Sequence, residues 1–531
     1  MKRQSLLFYG VYSLISVMAV ILITYLSRGN CFYGDDFWFA LLRPDFGEFS
    51  PLNPFSAIHG SGYLGFWLLT FFCYTLPNSV LNIHPADFIA IPQGIIRGLM
   101  AIPVFSVLLL YFRLFSKDKI LFLVLYFALI TLFIFEGLNS NIIGINYNYY
   151  RYFLSLIFCG FFWFCLYKYT MIKTPKTNKL QFFSAVLCAY TTGMASEIEI
   201  FLSLSLFCLI IGFNIIISLI SKYKEEIKAF KFNLSKEFFI LFAVFLTSMT
   251  LFITSTGYKE VSADRGMTNI SLSLGIIKEY SIIYFQNCFL REWVLWVLII
   301  IFFSFAFYFA KKKNEIKKLI FPLFFLVSLL AVMYSLILCG KTYNDNTYFI
   351  THNNVLALCC FLTTIPILMF AGYTFKNIKS KKFKTLFTLF LLISGVVLLC
   401  RAKYIQAQYM YLIREKCYII EKMVLFDYYR SDKILLPFYT IFEYKKELID
   451  DEYARLLYTN YIEKVYHTNK ISEREFVFEP DAVEKFYEIG GNFGKQELKK
   501  IRYENLKDPD FVLKQQDDKL SEEELEEILK K

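Results

Sequence analysis

The first chemically unusual stretch of the chain is GNCFYGDDFWFALLRPDF, in which Asp35 and Asp36 stand side by side among aromatic residues. Two adjacent carboxylates in apolar surroundings repel each other and lose hydration, so one of them is expected to hold its proton more tightly than a free aspartate does. A carboxylate tuned in this way suits the removal of a proton from a hydroxyl, the work of a general base. The pair could instead cap a following helix, whose N-terminus favours negative charge, although capping needs only one carboxylate.

Four further stretches carry polar groups of the same kind. TTGMASEIEIFLSL holds Glu197 and Glu199, and residues two apart point to different faces of a helix. At most one of the two is therefore expected to face a shared cavity, with Glu197 the leading choice and a solvated turn the alternative. TSTGYKEVSADRGMTN holds Lys259 and Arg265. The planar fork of an arginine and the point charge of a lysine suit a phosphate, unless they pair with Glu260 and Asp264 of the same stretch. CGKTYNDNTYFITHNN offers Lys341, Asp345 and His352, NYNYYRYF sets tyrosines around Arg151, and SAIHGSGYLG contributes His59. Aromatic and amide side chains suit sugar faces and hydroxyls, but tyrosines also collect at bilayer interfaces without any ligand.

Other chemistries are poorly served. The chain has 4 histidines and 12 cysteines, with no HExxH and no CxxC, so no dedicated metal site is expected, and a requirement for a divalent metal stays open. A glycine-rich loop for nucleotide phosphates is also missing.

The elements that must position these residues follow from composition. Of 531 residues, 56% are hydrophobic and only 19% charged, with a mean hydropathy of +0.47, which describes a polytopic membrane protein rather than a string of soluble domains. Apolar runs predict eleven transmembrane helices over about 6–26, 90–112, 119–135, 152–168, 180–196, 200–220, 237–255, 292–310, 319–339, 354–374 and 385–400. The formal charge of +11 lies in short runs between these segments and is no nucleic-acid footprint. Alternate loops hold 24 and 8 Lys+Arg, so the positive-inside rule puts the N-terminus and the lysine-rich loops in the cytoplasm. The acidic pair and all the polar stretches above then face outward. Segment 64–82 is nearly long enough to span, but a crossing there would put every later lysine-rich loop outside; it is expected to lie along the outer interface. Arg97, about two turns inside the next span, would reach the interface by snorkelling.

Residues 1–400 thus form a transmembrane domain whose first outer loop, 27–89, carries the acidic pair. Residues 401–531, with 23 Lys+Arg against 27 Asp+Glu and no spanning run, form a small C-terminal domain expected outside. Within it ILLPFYTIF reads as a short strand or buried extended piece, and SEEELEEILKK begins with a capping-box pattern, Ser521 to Glu524.

An anchor helix, a large first outer loop opening on an acidic pair, many further spans and an outer C-terminal domain resemble the GT-C superfamily of membrane glycosyltransferases, and most nearly its uncharacterised bacterial members. The motifs carrying the resemblance are GDDFWFALL, HGSGYLG, GMASEIEI and STGYKEVSADRG. The resemblance implies an all-α GT-C-like membrane fold in the bacterial inner membrane. It also implies a polyprenyl-phosphate-linked sugar donor, a glycan, lipid or protein acceptor and inverting transfer. Carried over, Asp36 or Asp35 is the base and Lys259 and Arg265 are candidates for holding the leaving phosphate; the outer stretches themselves add Glu197, His59, Lys341, His352 and Arg151 as further substrate-binding candidates. The WWD signature of oligosaccharyltransferases is absent, which speaks against transfer of a whole oligosaccharide. A lipid-linked polysaccharide polymerase or ligase would share this location and chemistry. A flippase or transporter would instead show internal repeats or polar, broken helices near the midplane.

Overall fold

The computed structural model describes residues 2–27, 68, 71–72, 76, 81, 91–139, 149–171, 178–223, 227, 230–254, 278, 281–282, 293–340, 353–405, 433–437 and 475–479. Eleven α-helices of more than one turn occur among them: α1 (Lys2–Ser27), α2 (Ile91–Arg113), α3 (Lys119–Asn139), α4 (Leu156–Met171), α5 (Lys179–Thr192), α6 (Glu197–Ile220), α7 (Lys236–Thr254), α8 (Trp293–Lys312), α9 (Lys317–Gly340), α10 (Asn353–Asn377) and α11 (Lys381–Ile405). A π-helical turn, Tyr149–Leu154, leads into α4. Each helix overlies one apolar run of the sequence, and seven are long and apolar enough to cross a membrane. The chain is a helical, multi-pass membrane-type protein. Helix α5 departs from the expected span at 180–196: it has 14 residues, and at 1.5 Å per residue it is about 21 Å long, short of a bilayer core. Its early end follows from the sequence Gly193-Met194-Ala195-Ser196, where the chain turns before α6 begins.

Helices α1 and α2 pack antiparallel through the small-residue pair Gly94 and Gly98. A Cβ on Gly94 would meet Ser27 Cβ at 2.8 Å and Thr24 Cα at 2.9 Å, and one on Gly98 would meet Val20 Cα at 2.8 Å. Further along, the Tyr12 and Ser106 hydroxyls are hydrogen-bonded at 2.7 Å. Removing the side chain at two positions one turn apart lets the backbones approach, which is how helices associate where burial from water supplies no drive. The antiparallel arrangement has a direct consequence. Residues 28–90 leave and rejoin the helical body at the same end.

The interior is largely aromatic. Phe133 stacks on Phe153 with centroids 4.1 Å apart, Phe105 lies 5.8 Å from Phe153, and Phe361 lies 5.8 Å from Phe133, so one cluster joins α2, α3, the π-turn and α10. Such pairs add roughly 0.5–1.5 kcal/mol each beyond area burial. Tyr12 stacks on Tyr126 at 4.7 Å and ties α1 to α3.

The lysine-rich segments gather at one end of the body. Arg113 lies over the rings of Phe122 and Phe8 at 4.6 and 5.7 Å, Lys384 reaches Asp118 at 3.6 Å, and Lys313 donates to Asn377 Oδ1 at 2.6 Å. Tyr373 donates to Glu315 Oε2 at 2.7 Å, Lys317 donates to the Lys231 carbonyl, the Asn233 amide donates to the Thr170 carbonyl at 2.8 Å, and Lys168 donates to Gln181 at 3.1 Å. Contacts between turns that are distant in sequence can form only if those turns share an end. The lysine-rich turns read from the sequence therefore share one end of the helical body.

Two short strands follow the helices. β1 (Lys433–Pro437) pairs in parallel with β2 (Glu475–Glu479), with Ile434 opposite Phe476 and Leu436 opposite Phe478. β1 overlaps the extended stretch ILLPFYTIF. The remainder of 401–531 beyond Ile405, including the Ser521 to Glu524 pattern, lies outside the described residues.

Candidate functional site

At the end opposite the lysines, the C-terminus of α1, the N-termini of α2 and α6 and the π-turn enclose a buried polar cluster. Gln93 and Arg97 on α2, Ser155 after the π-turn, and Ser196 and Glu199 at the start of α6 are all almost completely buried. Arg97 and Glu199 are the two charged residue types among the buried polar side chains of the described residues. An ionisable group buried within spanning helices is costly and is by default a sign of function.

Arg97 heads one half of the cluster. Its guanidinium carbon lies 5.5 Å from the centre of the Tyr149 ring, close enough for a cation–π contact, and the Tyr149 hydroxyl donates to the Arg97 carbonyl at 2.6 Å. One helical turn earlier, Gln93 Nε2 donates to the Tyr150 hydroxyl. The face of Tyr150 is covered in turn by Phe72, stacked at 5.4 Å and 9°. Phe72 and the buried Leu68 belong to segment 64–82 and pack against the helical body at this end. Arg97 does not snorkel: its side chain has no exposure, because Tyr149 covers it and the close approach of α1 at Gly98 leaves no route outward on that side.

Glu199 heads the other half. Ser155 Oγ donates to Glu199 Oε1 at 2.6 Å and Ser196 Oγ donates to Oε2, so each carboxylate oxygen accepts a hydroxyl. One turn on, Ser203 Oγ donates to the Glu199 carbonyl at 2.7 Å and receives the Trp163 indole N–H at 2.8 Å. The α6 N-terminus itself favours negative charge here, since both Glu197 and Glu199 lie in its first turn. The π-turn joins the two halves by presenting Tyr149 to Arg97 and Ser155 to Glu199. π-Helical turns leave the regular backbone pattern and are frequent at functional sites.

The sequence reading is met unevenly. Helical phase does separate the two glutamates, but the buried one is Glu199, and the expected Glu197 is only half-buried. Two turn-serines hold it there, Ser155 donating to one carboxyl oxygen and Ser196 to the other. A signal was present: Ser196-Glu197-Ile198-Glu199 is a capping-box pattern, which turns the fourth residue back towards the helix start. Gln93 and Ser155 carried no signal of their own, whereas Tyr149 belongs to the tyrosine cluster NYNYYRYF. Arg151 lies on the π-turn, whose helix starts earlier than the expected boundary at 152. Asp35, Asp36, His59, Lys259, Arg265, Lys341 and His352 lie outside the described residues. The segments that bear them adjoin helix ends at the cluster's end of the body: 28–90 joins α1 to α2, 255–292 joins α7 to α8, and 341–352 joins α9 to α10.

Chemically, the cluster holds a buried guanidinium and a buried carboxyl group. Both carboxyl oxygens of Glu199 are engaged by hydroxyl donors, which fixes the orientation of the group. Among the described residues no three His, Cys, Asp or Glu side chains lie together as a metal site. No family model, no characterised protein and no solved structure matches the chain at a significant level.

Proposed function

We propose that the chain is an integral-membrane glycosyltransferase of the GT-C type, moving a sugar from a polyprenyl-phosphate donor to a glycan, lipid or protein acceptor on the outer face of the membrane. The observation that carries this reading is the antiparallel packing of α1 on α2, at Gly94 against Ser27 and Gly98 against Val20. It anchors both ends of the loop bearing Asp35 and Asp36 at the end of the body where Arg97, Glu199 and the π-turn are buried. In this reading all eleven helices cross or enter the bilayer, the N-terminus and the lysine-rich end are cytoplasmic, and 401–531 is an extracytoplasmic domain.

The reaction asks for few parts. Asp36 or Asp35 takes the proton of the acceptor hydroxyl as its oxygen attacks the anomeric carbon from the side opposite the lipid phosphate. The bond from that carbon to the phosphate oxygen breaks with its electron pair on the phosphate, whose charge Lys259 and Arg265 hold. One displacement with no covalent intermediate inverts the anomeric centre. Glu197, His59, Lys341, His352 and Arg151 would bind the sugars in this reading, and the buried Glu199 and Arg97 hold the ends of the helices that carry the loops.

The test is transfer by the purified full chain from a radiolabelled polyprenyl-phosphate sugar to acceptors in a membrane extract. A positioned base contributes roughly 10²- to 10⁴-fold, so Asp36→Asn or Asp35→Asn should lower turnover by that order. Wild-type transfer by both variants would remove the base assignment, and absence of transfer from every polyprenyl-phosphate sugar tried would remove the reading itself. Product length separates addition of one sugar from polymerisation.

A further inference from the structure

We propose that the neighbouring turns 311–318 and 376–384, at the lysine-rich end, form a binding surface for an anionic glycerophospholipid. The two turns contain ten lysines and one carboxylate, Glu315. They are held together by the Lys313 bond to Asn377 at 2.6 Å and by the Tyr373 bond to Glu315 at 2.7 Å. Glu315 is already occupied, since Lys318 is paired with it as well. Lys384 is turned towards Asp118 at 3.6 Å. Lys376 acts on Glu315 through its charge, and Lys311, Lys312, Lys379, Lys381 and Lys382 are exposed with no carboxylate paired to any of them among the described residues. Like charges so concentrated repel one another, and an anion placed between them relieves that repulsion.

The surface directly below the lysines is apolar and equally exposed. Helices α8 and α11 meet through Phe305 and Phe383, with centroids 6.2 Å apart, and through Phe302 and Phe387 at 5.3 Å. Phe305, Tyr308 and Lys312 are spaced to share one face of α8, and Lys382, Leu386 and Phe390 one face of α11. Tyr308 is 60% exposed and Leu386 68%, so the face that begins at the lysines is uncovered along both helices. A phosphate at the lysines with acyl chains lying along this face matches both halves of the surface. Charge complementarity selects an anionic headgroup over a zwitterionic one, since each lysine near a membrane surface favours anionic lipid several-fold. The proposal is independent of the chemistry at the opposite end.

The test uses the full chain in detergent, equilibrated with an equimolar mixture of phosphatidylglycerol and phosphatidylcholine, with retained lipids counted by native mass spectrometry. The wild type should retain phosphatidylglycerol preferentially. The triple variant Lys312→Gln, Lys381→Gln, Lys382→Gln should lose that preference by about tenfold or more, three neutralised lysines each contributing severalfold. A control triple at the same end, Lys222→Gln, Lys231→Gln, Lys236→Gln, should keep it. Thermal unfolding of each variant establishes that it is folded before lipids are counted. Equal retention of the two lipids by the wild type, or equal loss in the two triples, would overturn a site at these turns.

Discussion

Ser155 donates a hydrogen bond of 2.6 Å to Glu199, linking the residue that follows the π-turn to the first turn of α6 across 44 positions of sequence. The bond fixes where the charge of Glu199 sits and which way the π-turn faces. It is buried, so leaving either partner without the other costs more than losing an ordinary surface bond.

Ser155→Ala is expected to destabilise the protein by about 1–3 kcal/mol, since the carboxylate loses a donor it cannot replace with water. Glu199→Ala should cost more than Glu199→Gln, because only the alanine leaves a cavity and two hydroxyls without an acceptor. Thermal unfolding in detergent ranks the three. An unchanged midpoint for Ser155→Ala would show that the bond contributes nothing.

Gly94→Val should drive α1 away from α2, as even a Cβ at this position would lie 2.8 Å from Ser27 Cβ and 2.9 Å from Thr24 Cα. Overpacking of this kind costs roughly 1–3 kcal/mol. Gly212→Ala, where a Cβ has nothing within 4 Å, is the matched control and should be neutral or slightly stabilising. If both substitutions had the same effect on unfolding, close packing at Gly94 would not be the reason for its glycine.

Membrane orientation is expected to follow charge. A cytoplasm-only reporter fused at residue 378, in the turn between α10 and α11, should be active, and an export-only reporter fused after residue 420 should be active as well. A cytoplasmic reporter that works at 420 would reverse the placement of the C-terminal domain. Labelling of cysteines introduced at 83–88 from the cytoplasmic side would do the same for the first loop.

Glu315 gives a pH signature at the lysine-rich end. Partial burial raises its pKa, but the hydrogen bonds from Lys318 and Tyr373 and the charges of Lys318 and Lys376 outweigh that, leaving the carboxyl below its ordinary value. A carboxyl lowered in the folded state adds stability that is fully present above the unfolded-state pKa and is lost as pH falls through the folded one. Unfolding midpoints should therefore fall on the acid side, and Glu315→Gln should flatten that limb while leaving the dependence near neutrality unchanged. An identical acid limb in the variant would mean that other carboxylates carry it.

The apolar helices were legible because a spanning helix is decided locally, by a run of apolar residues long enough to satisfy its own backbone, and seven of those described are long and apolar enough to cross a membrane. The common side of the lysine-rich turns was legible for the same reason, from counting charges between runs. Helix α5 was overread by a few residues, since hydropathy continues through Gly193 and Met194 and does not register a turn. β1 showed as a short apolar run, but its partner β2 did not, because pairing across residues 438–474 depends on the path of the intervening chain.

What the sequence determined by itself was the class of the molecule, the order of its apolar runs and the grouping of its lysine-rich turns, all set by composition over short windows. Which polar side chains are buried was decided only in three dimensions. Alternation around a helix established that Glu197 and Glu199 face different ways. It could not say which way is inward, because the rotation of α6 about its axis is set by Ser155, Ser203 and Trp163 on and around it. Arg97 carried an equally ambiguous signal, since an arginine two turns inside a span can reach outward or be enclosed. The Tyr149 ring and the close approach of α1 at Gly98 enclose it, and those contacts join residues 52 and 78 positions away in the chain.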